Sequence, residues 1–131
     1  MIDIENMLFT KVKNSVPMGT KCGTAYAKTQ SEFPYVTLVV IDNTIFEPFI
    51  NSARIENAVD ITVEVNVYSN KTHGKKEECK NLIKVIDDVL LGLNLTRMFC
   101  QPTPNLEDAT VFRITARYRA IVDKNLNIYR R

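Results

Sequence analysis

Period two governs the stretch Val59-Asp-Ile-Thr-Val-Glu-Val-Asn-Val-Tyr68, in which Val59, Ile61, Val63, Val65 and Val67 alternate with mostly polar side chains. β-branched residues at alternate positions predict a strand with one buried face. From residue 75 to 93 the period changes. Cys79, Leu82, Ile83, Ile86, Val89, Leu90 and Leu93 recur at helical spacing, while Lys76, Glu77, Lys80, Lys84, Asp87 and Asp88 fall off that stripe. An apolar stripe needs a partner surface, and the valine face is the natural one. Gly92 stands where a left-handed residue ends a helix, with Leu93 behind it to supply the apolar contact.

The same reading extends along the chain. Asp3 can cap a first helix that places Ile4, Leu8 and Val12 on one face with Phe9 and Val16 beside it; Pro17 and Gly19 end it. Residues 23–29 read as a short strand. Tyr35-Val-Thr-Leu-Val-Val-Ile41 is apolar at nearly every position and predicts a central strand covered on both faces, closed by Asp42-Asn-Thr44. Residues 45–57 keep Ile45, Phe46, Phe49 and Ile50 although Pro48 and polar side chains interrupt any regular element. Two readings of that segment stand: a lid folded back on the core, or an arm that meets a partner, since clustered exposed apolar side chains mark contact surfaces.

Residues 95–100 predict a short strand, and Gln101-Pro-Thr-Pro-Asn105 a loop, because proline donates nothing to a ladder. Residues 109–122 alternate over a long strand. Phe112, Ile114, Ala116, Tyr118, Ala120 and Val122 line one side; Arg113, Thr115, Arg117 and Arg119 line the other. Asp123-Lys-Asn125 is a turn, and residues 126–129 return as a short strand. This order predicts one α+β domain over residues 1–131, a mostly antiparallel sheet with two helices packed on one face and the other face only partly covered.

Composition narrows the function more by exclusion than by suggestion. A chain of 131 residues with 45% apolar and 24% charged residues is an ordinary globular domain, and its net charge of +2 is too small for binding nucleic acid through bulk charge. The opening Met1-Ile-Asp-Ile-Glu5 lacks the basic-then-apolar pattern of a signal peptide, and no apolar run approaches the ~20 residues of a membrane span. Cys22, Cys79 and Cys100 are an odd count at unrelated spacings, which fits free thiols in a reducing, cytosolic setting. In that setting the glycosylation patterns at Asn70 and Asn94 are chance matches.

Catalytic signatures are missing from the pattern. His73 is the sole histidine and has no second ligand at metal spacing, nor a nucleophile in a recognisable context. Asp87 and Asp88 are adjacent on a helix and diverge by about 100°. Four glycines form no phosphate or dinucleotide loop. No enzyme activity, cofactor or metal is expected. The row Arg113, Arg117, Arg119 has two readings. The simpler is a solvated face with cross-strand partners such as Glu64 or Asp60. The other is a basic stripe for nucleic acid or an acidic protein; against nucleic acid, Phe112 and Tyr118, the aromatic rings that could stack bases, lie on the face opposite the arginines.

Several stretches carry a likeness: Val65-Asn-Val-Tyr-Ser-Asn-Lys71, Gly74-Lys-Lys-Glu-Glu-Cys-Lys80, Thr96-Arg-Met-Phe-Cys-Gln-Pro-Thr-Pro-Asn-Leu-Glu-Asp-Ala-Thr110 and Ala116-Arg-Tyr-Arg-Ala120. Together, over residues 59–122, they resemble the small tail terminator (tail completion, minor capsid-type) proteins of long-tailed bacteriophages and Gram-positive prophages. Ile4-Glu-Asn-Met-Leu-Phe-Thr-Lys-Val-Lys13 adds a weaker likeness. The resemblance implies a homo-hexameric ring, or a monomer when free, that caps the tail tube protein, ends its polymerisation and meets the head-side connector protein. It further implies assembly in the host cytoplasm, a place at the head–tail junction of the virion, no membrane, and DNA only as cargo through the ring. On this reading Ile45, Phe46, Phe49 and Ile50 are the candidate subunit interface, and Arg113, Arg117 and Arg119 face the lumen or tube. The alternatives are a head–tail connector or head-completion ring protein and, from another class, a nucleic-acid-binding accessory protein using the arginine face.

Overall fold

The computed structural model describes residues 1–24, 33–46, 58–104 and 110–130. Among them, helix α1 (Glu5–Ser15) leads into strands β1 (Lys21–Gly23), β2 (Tyr35–Ile45) and β3 (Ala58–Ser69). Helix α2 (Lys75–Gly92) follows, then β4 (Thr96–Pro102), β5 (Phe112–Asp123) and β6 (Ile128–Arg130). The strands form one sheet in the order β1-β2-β3-β5-β4, with β6 also on β5. Only the β1–β2 pair is parallel; the others are antiparallel. Because β3 lines β5 along its whole length, β6 continues the edge that β4 begins. The α+β class is therefore as the periodicity implies, and no helix among the described residues is long and apolar enough to cross a membrane.

Both helices pack on one face of the sheet. The valine face of β3 and the apolar side of β5 bury Val59, Ile61, Val63, Val65, Val67, Ala116, Tyr118 and Ala120 against Leu8 and Val12 of α1 and Cys79, Leu82, Ile86 and Leu90 of α2. The N-terminus joins this core: Ile2 and Ile4 are buried. The N-cap position falls on Ile4, which makes no side-chain cap bond, and not on Asp3 as expected; from one residue earlier Asp3 Oδ1 accepts the Glu5 N–H at 3.0 Å. The Glu5 carboxylate in turn accepts the Val40 N–H at 2.8 Å, and the Ile2 carbonyl accepts from Asn43 Nδ2 at 2.9 Å.

Those last two contacts sit where β2 departs from expectation. Asp42-Asn-Thr44 does not close the strand. The register slips between Val40 and Asp42, and β2 runs on to pair Asp42, Asn43, Thr44 and Ile45 with Thr62, Ile61, Asp60 and Val59. A bulge of this kind bends the strand and resets which side chains face each side. Nor is β2 covered throughout: Val36, Thr37 and Leu38 are buried, but residues 41–45 are exposed. Among the described residues β1 partners β2 only at Tyr35, Val36 and Thr37, and the rest of β2 is a sheet edge.

Three local expectations shift as well. The short strand near residue 23 lies at Lys21–Gly23, and residues 25–29 are outside the described set. Helix α2 is ended not by Gly92 but by Asn94, whose φ is +72°. The Leu95 N–H reaches the Leu90 carbonyl and the Asn94 N–H the Leu91 carbonyl, each at 3.1 Å. That is the paired closure of a Schellman motif, with buried Leu90 and Leu95 making its apolar contact. Finally, β4 includes Pro102, opposite Ile114. Proline is tolerated there because the strand is an edge.

Candidate functional site

Opposite the helices, β3 and β5 place Thr62 beside Arg119, Glu64 beside Arg117, Asn66 beside Thr115 and Tyr68 beside Arg113. Residues in register share a face, so the arginine row meets the polar positions of β3. Glu64 is only 5% exposed. Arg117 donates to its Oε2 from both Nε and a terminal nitrogen at 3.2 Å, and Asn66 Nδ2 donates to Oε1 at 3.1 Å. Arg113 Nε and Thr115 Oγ1 both donate to Asn66 Oδ1, at 2.9 and 2.7 Å. Arg119 binds Asp60 Oδ2 at 3.0 Å.

A buried carboxylate is tolerable only when its charge and lone pairs are met, and this network meets them. The cross-strand partners expected for the row, Glu64 and Asp60, are the ones observed. Aromatic rings that β5 alone did not reveal also lie here, supplied by neighbouring strands. The Arg113 guanidinium stands over the Tyr68 ring and that of Arg117 over Phe99, each 5.5 Å from the ring centroid. Burial raises the Tyr68 phenol above its ordinary pKa, and Arg113 partly offsets the shift. Guanidinium groups occupy the ring faces that a base would stack on.

On the helix side, Asp87 has a definite task. The buried Tyr118 hydroxyl donates to its Oδ1 at 2.7 Å, and Arg97 binds its Oδ2 at 2.9 Å, tying α2 to both β5 and β4. Burial first, then the bond to Asp87, pushes the Tyr118 phenol far above the ordinary tyrosine range. Asp88 is exposed. The thiol of buried Cys79 faces the carbonyls of Phe112 and Val67 at 3.5 and 3.8 Å, and burial, helped by Glu78, pushes it up to about 12. Burial also raises Cys22 and Cys100, so all three thiols are protonated at neutral pH. His73 is exposed in the turn before α2, and no group of metal-ligating side chains occurs among the described residues.

Of the apolar candidates, Ile45 ends β2 at 48% exposure, and half-buried Phe46 donates its N–H to the Ala58 carbonyl at 3.0 Å. Phe49 and Ile50 lie outside the described residues. Across the sheet, Met98 of β4 and Tyr129 of β6 are each 49% exposed. The sequence reading did not single these out; Met98 stands in a short strand with weak alternation, and only its edge position makes it conspicuous. No protein-family model matches the chain, and a comparison with curated proteins finds no match.

Proposed function

We propose that this protein is a structural subunit of a tail-terminator-type ring, which caps a bacteriophage tail tube, stops its growth and joins the tail to the head connector. The observation that carries the reading is that two unlike edges of one sheet each carry exposed apolar side chains. Ile41 and Ile45 mark the β2 edge, and Met98 and Tyr129 mark the edge built by β4 and β6. Closed rings made head to tail require two different, mutually complementary surfaces per subunit. The likeness in wording over residues 59–122 supplies the setting. The arginine row supports a structural role more than nucleic-acid binding, because its charges are met by Glu64 and Asp60 and two of its guanidinium groups cover aromatic rings.

The test is removal of the chain from cells that express the cognate tail genes. Over-long tubes and unjoined heads, corrected by adding back the purified protein, are the expected result. Tubes of normal length with heads unjoined would instead indicate a head-completion ring, and normal joined virions would end the proposal.

A further inference from the structure

We propose that the two outer edges of the sheet are the two halves of one contact: the β2 edge of one copy lies along the β4 edge of the next, so that the sheet continues from subunit to subunit. The inference rests on the ring reading and names how neighbouring copies join. Beyond Thr37, β2 has no strand partner among the described residues on the side away from β3, where the Glu5 carboxylate takes the Val40 N–H alone, and β4 ends the strand order. An unpaired edge turns alternate backbone N–H and C=O groups outward, a template for another strand.

Side chains on the helix side of the two edges match. Ile45 pairs with Val59, a core position, so it projects towards the helix layer while remaining 48% exposed. On the other edge, α2 and β4 flank a groove of about 350 Å³ floored by Ile83, Cys100, Pro102 and Ile114. The volume is at the low end of the range for ligand clefts and leaves room for one apolar side chain. Charge matches too. Asp3 is exposed beside β2, where the N-terminal segment is clipped to the strand through Ile2, Glu5, Val40 and Asn43; Asp42, in register with Thr62, faces the arginine side instead. Lys80 and Lys84 rim the groove one helical turn apart, and neither has a carboxylate partner among the described residues.

The same charges disfavour a symmetric arrangement. Laying β4 on β4 of a second copy would set Lys80 and Lys84 near their own counterparts, whereas β2 on β4 sets acid against base. Both edge strands carry a register shift, between Val40 and Asp42 and between Arg97 and Phe99. Bulges bend strands, and a sheet continued around a closed ring has to bend.

Two variants of the full chain test the contact. Asn43→Cys places a thiol on the helix side of the β2 edge, to be oxidised by diamide with the native exposed Cys100 of the next copy. Two thiols become one disulfide, and their two electrons and two protons reduce diamide to its hydrazine. The expected product is a covalent ladder that Cys100→Ser abolishes. In parallel, Lys80→Glu with Lys84→Glu should raise the concentration of half-assembly by about tenfold or more, and adding Asp3→Lys should lower it again. An oligomer that forms without this cross-link and ignores both charge reversals overturns the inference while leaving the ring reading intact. Absence of any oligomer overturns the inference, and the ring reading is then decided by the tail-length test above.

Discussion

The Glu64–Arg117 pair allows the sharpest energetic test of the fold. In Arg117→Met an unbranched side chain is retained and the guanidinium that stands over Phe99 is lost, stranding a carboxylate that is 5% exposed. Breaking a buried ion pair from one side costs about 3–5 kcal/mol when nothing replaces the partner. Here Asn66 Nδ2 remains on Oε1 and an Arg113 nitrogen stands 4.0 Å away, and the Arg117 side chain is itself 43% exposed. A loss of about 2–3 kcal/mol follows. With an unfolding entropy of roughly 0.28 kcal/mol/K for a chain this size, Tm should fall by about 9 °C. The double variant Glu64→Met with Arg117→Met removes both charges and leaves the Asn66 amide short of an acceptor and the part-exposed Arg113 without its carboxylate, a cost of about 1–1.5 kcal/mol. The double variant should therefore be more stable than the Arg117→Met single variant. Urea unfolding of both single variants, the double and the parent gives the coupling energy. A loss below about 0.5 kcal/mol in Arg117→Met, the usual size for an exposed pair, would refute the claim that this face is a buried network.

Three further outcomes follow from particular atoms. The Thr37 hydroxyl is buried and makes no hydrogen bond of good geometry among the described residues, its polar neighbour being the Tyr68 phenol, so Thr37→Val should change stability by less than about 1 kcal/mol in urea unfolding, and a larger loss would show that the two hydroxyls are bonded. Because burial raises the folded-state thiol of Cys79 from 9.0 to about 12, its protonated form contributes stability that is fully present below pH 9.0 and is lost as pH climbs towards about 12. Cys79→Ala should accordingly flatten stability against pH in that window, measured as urea midpoints; parallel curves would contradict it. Asn94→Ala places an alanine at φ +72° and should cost about 1 kcal/mol, whereas Gly92→Ala, within the helix and with nothing within 4 Å of its added Cβ, should stabilise slightly. Thermal melts of the two variants with opposite signs of change check the position of the helix end.

How much of this was legible in the sequence depends on how far each signal reached. The cores of β3, β5 and α2 follow from periodicity, since Val59 to Val67, Ile114 to Val122 and Cys79 to Leu90 each keep one period through a whole element. The extension of β2 was hidden because the bulge resets the alternation, so that Asp42-Asn-Thr44 has the composition of a turn while pairing as a strand. Asn94 and Gly92 are both able to adopt a left-handed conformation, and the choice falls to Leu95, which must be buried. Glu64 and Asn66 looked like wet positions by alternation. They are buried because long arginine side chains from β5 fold over them, a cross-strand effect that no single-strand pattern carries. For the candidate site, the partners Glu64 and Asp60 were readable from alternation. Met98 and the groove beside it were not, because they depend on which strand ends the sheet.

The central claim is that the two sheet edges complement one another and close into a ring. Light scattering of the purified chain across a concentration series up to ~1 mM, the range in which even weak contacts associate, tests it most directly. The account predicts a mass that rises from the 15.0 kDa of one chain and levels off at a single closed species of roughly six copies, with no further growth. A strict monomer throughout the series, or a mass that climbs without a plateau, would contradict it.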